Sequence, residues 1–410
     1  MKPNLPDGNR PDAAETAMLE RVDTAAMLRR TLDWCAIQTG TGNLRGLAQQ
    51  AAALADAFAA LPGEVSLVDA APVSAINADG RETVIERGQN LVLSVRPQAE
   101  RRFLLTGHMD TVFPADTAFT EVVEIEPRVL NGPGLADMKG GIAVILEALK
   151  VFESHPSAVK IGYDVMINSD EETGSAGSAD LIAWLAQGKH AALTYEPSTM
   201  PDGTFAGARG GSGNYSVIVT GKSAHAGRNP QDGRNAIVAA ADLAVRIADL
   251  GYDELSINPA KIEGGSANNV VPDHAILRFN IRPKTQDAAG HFAFSLNLLM
   301  DEISAERGVA MHLHGGISRP PKPVDERAEQ LFGTVRSCSK ALGLHYARKD
   351  TGGVCDGNNI AACGVPVVDT MGVRGGSIHS PQEFMIVDSL AERAKLSALV
   401  LARLALEKGN

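Results

Sequence analysis

Cysteine is scarce in this chain of 410 residues: Cys35, Cys338, Cys355 and Cys363 are scattered, and none falls in a Cys-x-x-Cys pair. That spacing excludes a disulfide framework and a thiolate zinc site, and it favours free thiols in a reducing compartment. Basic charge is also short. Lys and Arg number 38 against 49 Asp and Glu, a net charge of −11, which argues against a nucleic-acid surface. No apolar stretch approaches the ~18 residues of a membrane span. The segment Met1 to Arg10 is polar and rich in Pro, Asn and Gly, without the apolar core of a signal peptide. A cytoplasmic protein with neither membrane nor nucleic-acid partners is the expectation.

Common nucleotide and serine-hydrolase signatures are missing as well. Gly132-Pro-Gly134 opens like a dinucleotide fingerprint, but Asp137 stands where the third Gly is required. Lys139 lacks Walker spacing and a following Ser or Thr. No G-x-S-x-G elbow occurs.

The chain is long enough for two domains. An Ala-rich helical stretch, Leu47–Leu61, follows some twenty residues that read as a flexible lead-in. Leu91–Val95, Phe103–Thr106, Val159–Asn168 and Ala191–Tyr195 have strand character, and Gly140–Phe152 and Ala179–Leu185 have helix character. This alternation predicts an α/β fold with helices on the faces of a sheet. Near Gly210–Gly213 the texture changes. Tyr215–Thr220, Asn235–Leu250 and Ala275–Ile281 read as a β-α-β insert, closed by Arg319-Pro-Pro-Lys-Pro323. The expected division is 1–210 and 322–410 for the two parts of a catalytic domain, with 211–321 inserted between them.

Metal-ligand residue types gather where predicted strands end. Phe103–Thr106 runs into Gly107-His108-Met109-Asp110, the strand before Asn168 into Asp170-Glu171-Glu172, and Ala191–Tyr195 into Glu196. Asp137 lies in a Gly-rich loop just ahead of a helix. In open α/β sheets such strand ends converge on one crevice. Zinc takes imidazole and carboxylate ligands, and two zinc ions about 3.5–4 Å apart need a carboxylate between them. One bridging carboxylate, with a His and a carboxylate for each metal, makes five ligands, and a further carboxylate must accept the proton of water. The chain holds this inventory, with His379 as second imidazole and Asp110 placed to orient the His108 ring. Taken singly, His-x-Asp is more often a surface turn and Asp-Glu-Glu a solvated loop; their joint placement favours a site. His312 and His314 alternate on a probable strand and read as solvent-facing, and His155, His190, His274, His291 and His345 have no ligand-like company.

These segments resemble a known family. Thr106-Gly-His-Met-Asp-Thr-Val112, Gly132-Pro-Gly-Leu-Ala-Asp-Met-Lys-Gly-Gly141, Asp170-Glu-Glu-Thr-Gly-Ser175, Glu196-Pro197 and Gly221-Lys-Ser-Ala-His-Ala-Gly227 match, in order, motifs of the dizinc aminoacylase, acetylornithine deacetylase and glutamate carboxypeptidase superfamily. With Thr39-Gly-Thr-Gly42 and the insert sequences, the likeness is nearest to the carboxypeptidase G-like branch. The resemblance implies a zinc-peptidase-like mixed sheet plus an α+β lid and dimerisation domain, two zinc ions per subunit (cobalt or manganese as substitutes) and a homodimer. It implies that Asp137 bridges the metals, with His108 and Glu196 on one and Glu172 and His379 on the other. Glu171 is then the general base. Glu at position 196 points to a carboxypeptidase or deacylase. His225 is implied as an oxyanion donor reaching the partner's site, and Arg319 and Arg282, with Asn269 beside them, as the clamp for a substrate carboxylate.

Two departures, Val354-Cys355 where relatives commonly carry Thr and Arg209-Gly-Gly-Ser212 at the insert's entry, argue against carrying over folate-type substrates. Cys355 also implies sensitivity to thiol reagents. The leading expectation is hydrolysis of the amide before a C-terminal amino acid with a free carboxylate, glutamate first. An N-acyl amino acid deacylase of the acetylornithine type and a non-catalytic binding member of the fold are the alternatives.

Overall fold

The computed structural model describes residues 10–407. A six-stranded sheet runs in the order Glu64–Val68, Asn90–Val95, Ile161–Asn168, Arg101–His108, Ala191–Thr194, Val367–Val368. The last four are mutually parallel, and the first two join antiparallel at one edge. Alternate side chains divide between two buried layers, as the period of a strand requires. Phe103 and Leu105 enter a large core with the helices Thr24–Cys35, Leu44–Phe58, Gly140–Phe152 and Asp388–Leu404. Leu104, Val92 and Met166 face the other way, onto Ala179–Ala186 and Asp356–Ala362. Gly140–Phe152 is buried along all but Lys150, so its apolar residues show no single stripe.

The chain leaves this sheet to build a second one and then returns. Four antiparallel strands lie in the order Leu255–Gly264, His274–Pro283, Ser212–Thr220, Ala310–Arg319. One face packs on the helices Ala236–Ala248 and Gln286–Arg307 through Val217, Leu277, Phe279, Leu243, Phe292 and Leu296. This is larger than the β-α-β expected. The helix Gln286–Arg307 carries a signal that was there to be read: Thr285 caps it by accepting from the Ala288 N–H, and Ala288, Phe292, Leu296, Met300 and Ile303 recur along its buried side.

The flexible lead-in expected over the first twenty residues is corrected for its described part. Ala13–Leu19 is a helix with a reciprocal capping box between Asp12 and Glu15, and Glu15 pairs with Arg403 of the last helix. Residues 1–9 of the polar N-terminal segment lie outside the described residues. The four cysteines are unpaired. No helix among the described residues is long and apolar enough to cross a membrane.

Candidate active site

The strand Arg101–His108 stops against Asn168 of its neighbour, and the ends of these parallel strands form the site floor. His108 is buried there. Its Nδ1 lies 3.0 Å from the Asp110 carbonyl and 3.4 Å from the Asp110 carboxylate. With Nδ1–H directed at Asp110, Nε2 faces Asp137 Oδ1 at 3.1 Å and Glu196 Oε2 at 3.8 Å. Asp110 is itself held by Thr41 Oγ1 (2.7 Å) and by the backbone N–H groups of Glu171 (3.1 Å) and Glu172 (3.2 Å).

Asp137 turns its other oxygen to His379 Nε2 at 3.2 Å, and Glu172 Oε2 meets the same nitrogen at 3.2 Å. Asp137 thus stands between two imidazoles. Its loop enters the buried helix through Gly140-Gly141, where a Cβ on Gly141 would lie 2.2 Å from the Tyr195 carbonyl. That close approach brings Asp137 and Glu196 to one place. His379 adopts φ +63 at the mouth, with 53% of its side chain exposed.

Two groups that could hold a metal ion have donor atoms within 4.8 Å of one another: His108, Asp137 and Glu172, and His108, Glu171 and Glu196. Electrostatics agrees. Burial pushes Glu172 up to about 7, assisted by the Asp137 charge against the opposing His379. Burial also raises Glu196 and Glu171. Hydrogen bonds to Asp137 and Glu172 raise His379 to about 10. For His108 burial works downward, but Asp110, Asp137 and Glu196 overcome it and hold the imidazole well above its ordinary range. Asp137 goes the other way: burial works upward, but hydrogen bonds to His108 and His379 hold its carboxyl well below the ordinary range.

The general-base candidate, Glu171, sits on a single turn, Glu171–Thr173, that ends at Gly174 with φ +98. Arg319 lies directly behind it. The Arg319 guanidinium donates to Glu171 Oε1 (2.8 Å), Ser175 Oγ (2.8 Å), Asp356 Oδ1 (2.6 Å) and Asn359 Oδ1 (2.8 Å), and the residue is 2% exposed. The expectation that Arg319 clamps a substrate carboxylate meets a guanidinium whose two terminal nitrogens already bond protein oxygens, although the residue also lines the cleft. Arg282 differs: it is exposed, bonds Asn280 Oδ1 through Nε (2.9 Å) and lines the same cleft. His225 and Asn269 are neighbours in loops of the insert, through the Ala226 N–H to Asn269 carbonyl bond and the His225–Val270 bridge. Both are exposed, and neither lines the cleft of its own chain.

Several residues of the site escaped the reading of the sequence. Glu383, buried, accepts from the N–H groups of Gly134 (3.1 Å), Ala136 (2.9 Å) and Asp137 (3.1 Å), and so sets the Asp137 loop. A lone Glu in Ser380-Pro-Gln-Glu383 carries no local signal for that task. Asp356 and Asp369 anchor Arg319 and Arg209 below the cleft. Cys355 is 2% exposed and lies 3.7 Å from Asp369, so the expected sensitivity to thiol reagents meets a thiol that burial pushes well above its ordinary pKa.

The cleft, about 600 Å³, opens between the two sheets and is lined by Glu171, Glu196, Arg282, Cys355 and His379 among others. Over residues 104–403 the chain matches the profile of peptidase family M20/M25/M40. It belongs to that family. Among its relatives are carboxypeptidase G2 of a Pseudomonas species, 29% identical over 77% of this chain and 76% of the relative, and the succinyl-diaminopimelate desuccinylase of Stenotrophomonas maltophilia, 30% identical over 73% and 83%. A tripeptidase from Staphylococcus aureus has a similar structure, with a TM-score of 0.73 and 25% identity, covering 94% of this chain and 100% of the other. The chain is therefore an M20-family hydrolase of small peptides or acyl amino acids, with the mixed α/β fold of that family.

Proposed function

We propose that this M20-family hydrolase works with two divalent metal ions, zinc in the first instance, and releases a C-terminal amino acid that carries a free carboxylate, glutamate being the first candidate. The observation that carries the reading is the position of Asp137 between the nitrogens of His108 and His379, 3.1 and 3.2 Å away. The donors fit the group: imidazole nitrogen and carboxylate oxygen only, with Asp137 shared, His108 and Glu196 on one side, His379 and Glu172 on the other. When bound, such ions polarise a carbonyl and acidify water.

The remaining work falls to side chains. Glu171 takes the proton from the attacking water and returns it to the leaving nitrogen. Arg319 keeps the Glu171 carboxylate turned toward the cleft, and Asp110 holds the His108 ring. Arg282, with its terminal nitrogens uncommitted, receives the free carboxylate of the leaving amino acid. His225, exposed and away from its own cleft, reaches the site of a second copy in a homodimer and donates to the developing oxyanion. A second reading, an N-acyl amino acid deacylase, is favoured by the likeness to a desuccinylase. Release of free amino acid from acyl-glutamate, acyl-aromatic, acyl-aliphatic and acetylornithine substrates separates the two. Best turnover of acyl-glutamate, lost on esterifying its carboxylate, supports the first; best turnover of acetylornithine supports the second. Indifference to esterification removes the Arg282 contact from the account.

A further inference from the structure

The open face of the inserted sheet is a polar floor in register. Ser216 pairs with Arg278 and His314, and Asn214 with Asn280 and Gly316. Ser212 and Arg282 continue the same face two residues further on. The side chains link along it: Arg282 to Asn280 (2.9 Å), Asn280 to Asn214 (2.8 Å), Arg278 to Ser216 (3.0 Å). From Arg282 to Arg278 the strand advances roughly 14 Å, at ~3.4 Å per residue.

Over the far part of this floor lies a second chamber of about 700 Å³. It shares Thr173, Gly174, Asn214 and Ser318 with the metal cleft, so the two communicate beside the Glu171 turn. A hairpin, Val73–Ile76 with Glu82–Ile85, closes its end. Arg278 donates to the Ile76 and Asn77 carbonyls (3.0 and 3.2 Å), and Ser74 Oγ lies 3.0 Å from His314 Nε2. His314, expected to face solvent, is half-buried in this contact.

The chamber's charge is one-sided. Among the described residues no Asp or Glu lines it, in a chain with net charge −11, whereas Arg87, Arg278 and His314 do. Arg278 is neutralised by Glu263 at 2.7 Å. Arg87 is not: its Nε is buried without a partner, and its one hydrogen bond runs from Nη1 to the Glu86 carbonyl at 3.4 Å. A half-buried guanidinium in a polar chamber fits an anion.

We propose that this chamber is a subsite for the acyl side of an extended substrate, and that Arg87 receives a carboxylate at the substrate's far end. The inference rests on the amide hydrolysis proposed above. With Arg282 on the leaving amino acid, the acyl portion passes Gly174 and Ser318 and lies along Asn214, Asn280 and Ser216. The ~14 Å of floor matches about four extended residues, so the substrate class is a short peptide or peptidyl conjugate with an acidic acyl end rather than a simple acetyl amino acid.

The test compares succinyl-Gly-Gly-Glu with acetyl-Gly-Gly-Glu, which differ in the distal carboxylate, on the metal-loaded wild type, Arg87→Gln and Arg87→Lys. The wild type is expected to prefer the succinyl peptide about fivefold in kcat/KM, through KM. Arg87→Gln should bring that ratio to near one, and Arg87→Lys should retain most of it. Equal turnover of the two peptides by the wild type, or a preference that survives Arg87→Gln, overturns the proposal. If neither peptide is cleaved, the hydrolytic reading fails for peptides of this class, and calorimetric binding of succinyl-Gly-Gly-Gly decides the chamber separately. Weaker binding by Arg87→Gln than by wild type supports it; equal or absent binding in both refutes it.

Discussion

Asp137 presents one carboxylate oxygen to His108 at 3.1 Å and the other to His379 at 3.2 Å, although the two histidines stand 271 residues apart in the chain. Such a group is costly to bury alone. Replacing it with Ala should leave a protein that binds less than one metal ion per chain where the wild type approaches two. Metal analysis after gel filtration reads this directly. Unchanged stoichiometry would remove Asp137 from its bridging role.

Glu171 is expected to carry the proton. Glu171→Gln keeps the shape and an amide oxygen that accepts from Arg319, so metal content should persist while kcat falls by about 10²–10⁴-fold. Retained turnover at wild-type metal content would exclude this carboxylate from the reaction.

Arg319 bonds Glu171 and also lines the cleft; on the proposed reading it positions Glu171, and a kinetic split separates that role from substrate binding. Arg319→Lys should lower kcat far more than it raises KM for acyl-glutamate. Arg319→Ala, which strands Asp356 in the interior, should also cost about 3–5 kcal/mol of unfolding free energy in urea. A rise in KM at constant kcat would restore the substrate clamp.

Asp369 gives a pH dependence of stability. Burial alone would raise its pKa, but Arg209 and Lys322 hold it below the ordinary 3.8. A folded value below the unfolded one means that the stabilisation is fully present above 3.8 and is lost as pH falls through the folded value. The urea midpoint of Asp369→Asn should therefore lie well below wild type at neutral pH, with the gap narrowing in acid. A gap constant across pH would contradict the assignment.

His225 is tested by mixing. His225→Ala and Glu171→Gln, each nearly inactive, should regain about a quarter of wild-type activity when their subunits are exchanged, since a two-fold dimer then carries one intact site. No regain after verified exchange would confine His225 to its own chain.

What was legible in the sequence were the placements that follow from local geometry. His108 ends a parallel strand, Glu171, Glu172 and Glu196 lie just beyond others, and Asp137 precedes a buried helix, so the element ends announce them. The Ala13–Leu19 helix was missed because seven residues give too short a period to see, although its Asp12–Glu15 box was present. Glu383 and Asp356 were invisible for another reason: their partners are backbone N–H groups and a guanidinium brought in from more than a hundred, or from tens of, residues away. Arg319 was read as a substrate clamp because an arginine's charge indicates a carboxylate partner without saying whether that carboxylate belongs to substrate or to protein, and here Glu171 and Asp356 supply two.

The most direct test of the central claim is a titration of chelator-treated protein with zinc, following glutamate release from an acyl-glutamate at each addition. The account predicts no release from the stripped protein and recovery that levels off near two equivalents per chain. Full activity in the stripped protein, confirmed metal-free by elemental analysis, would contradict it.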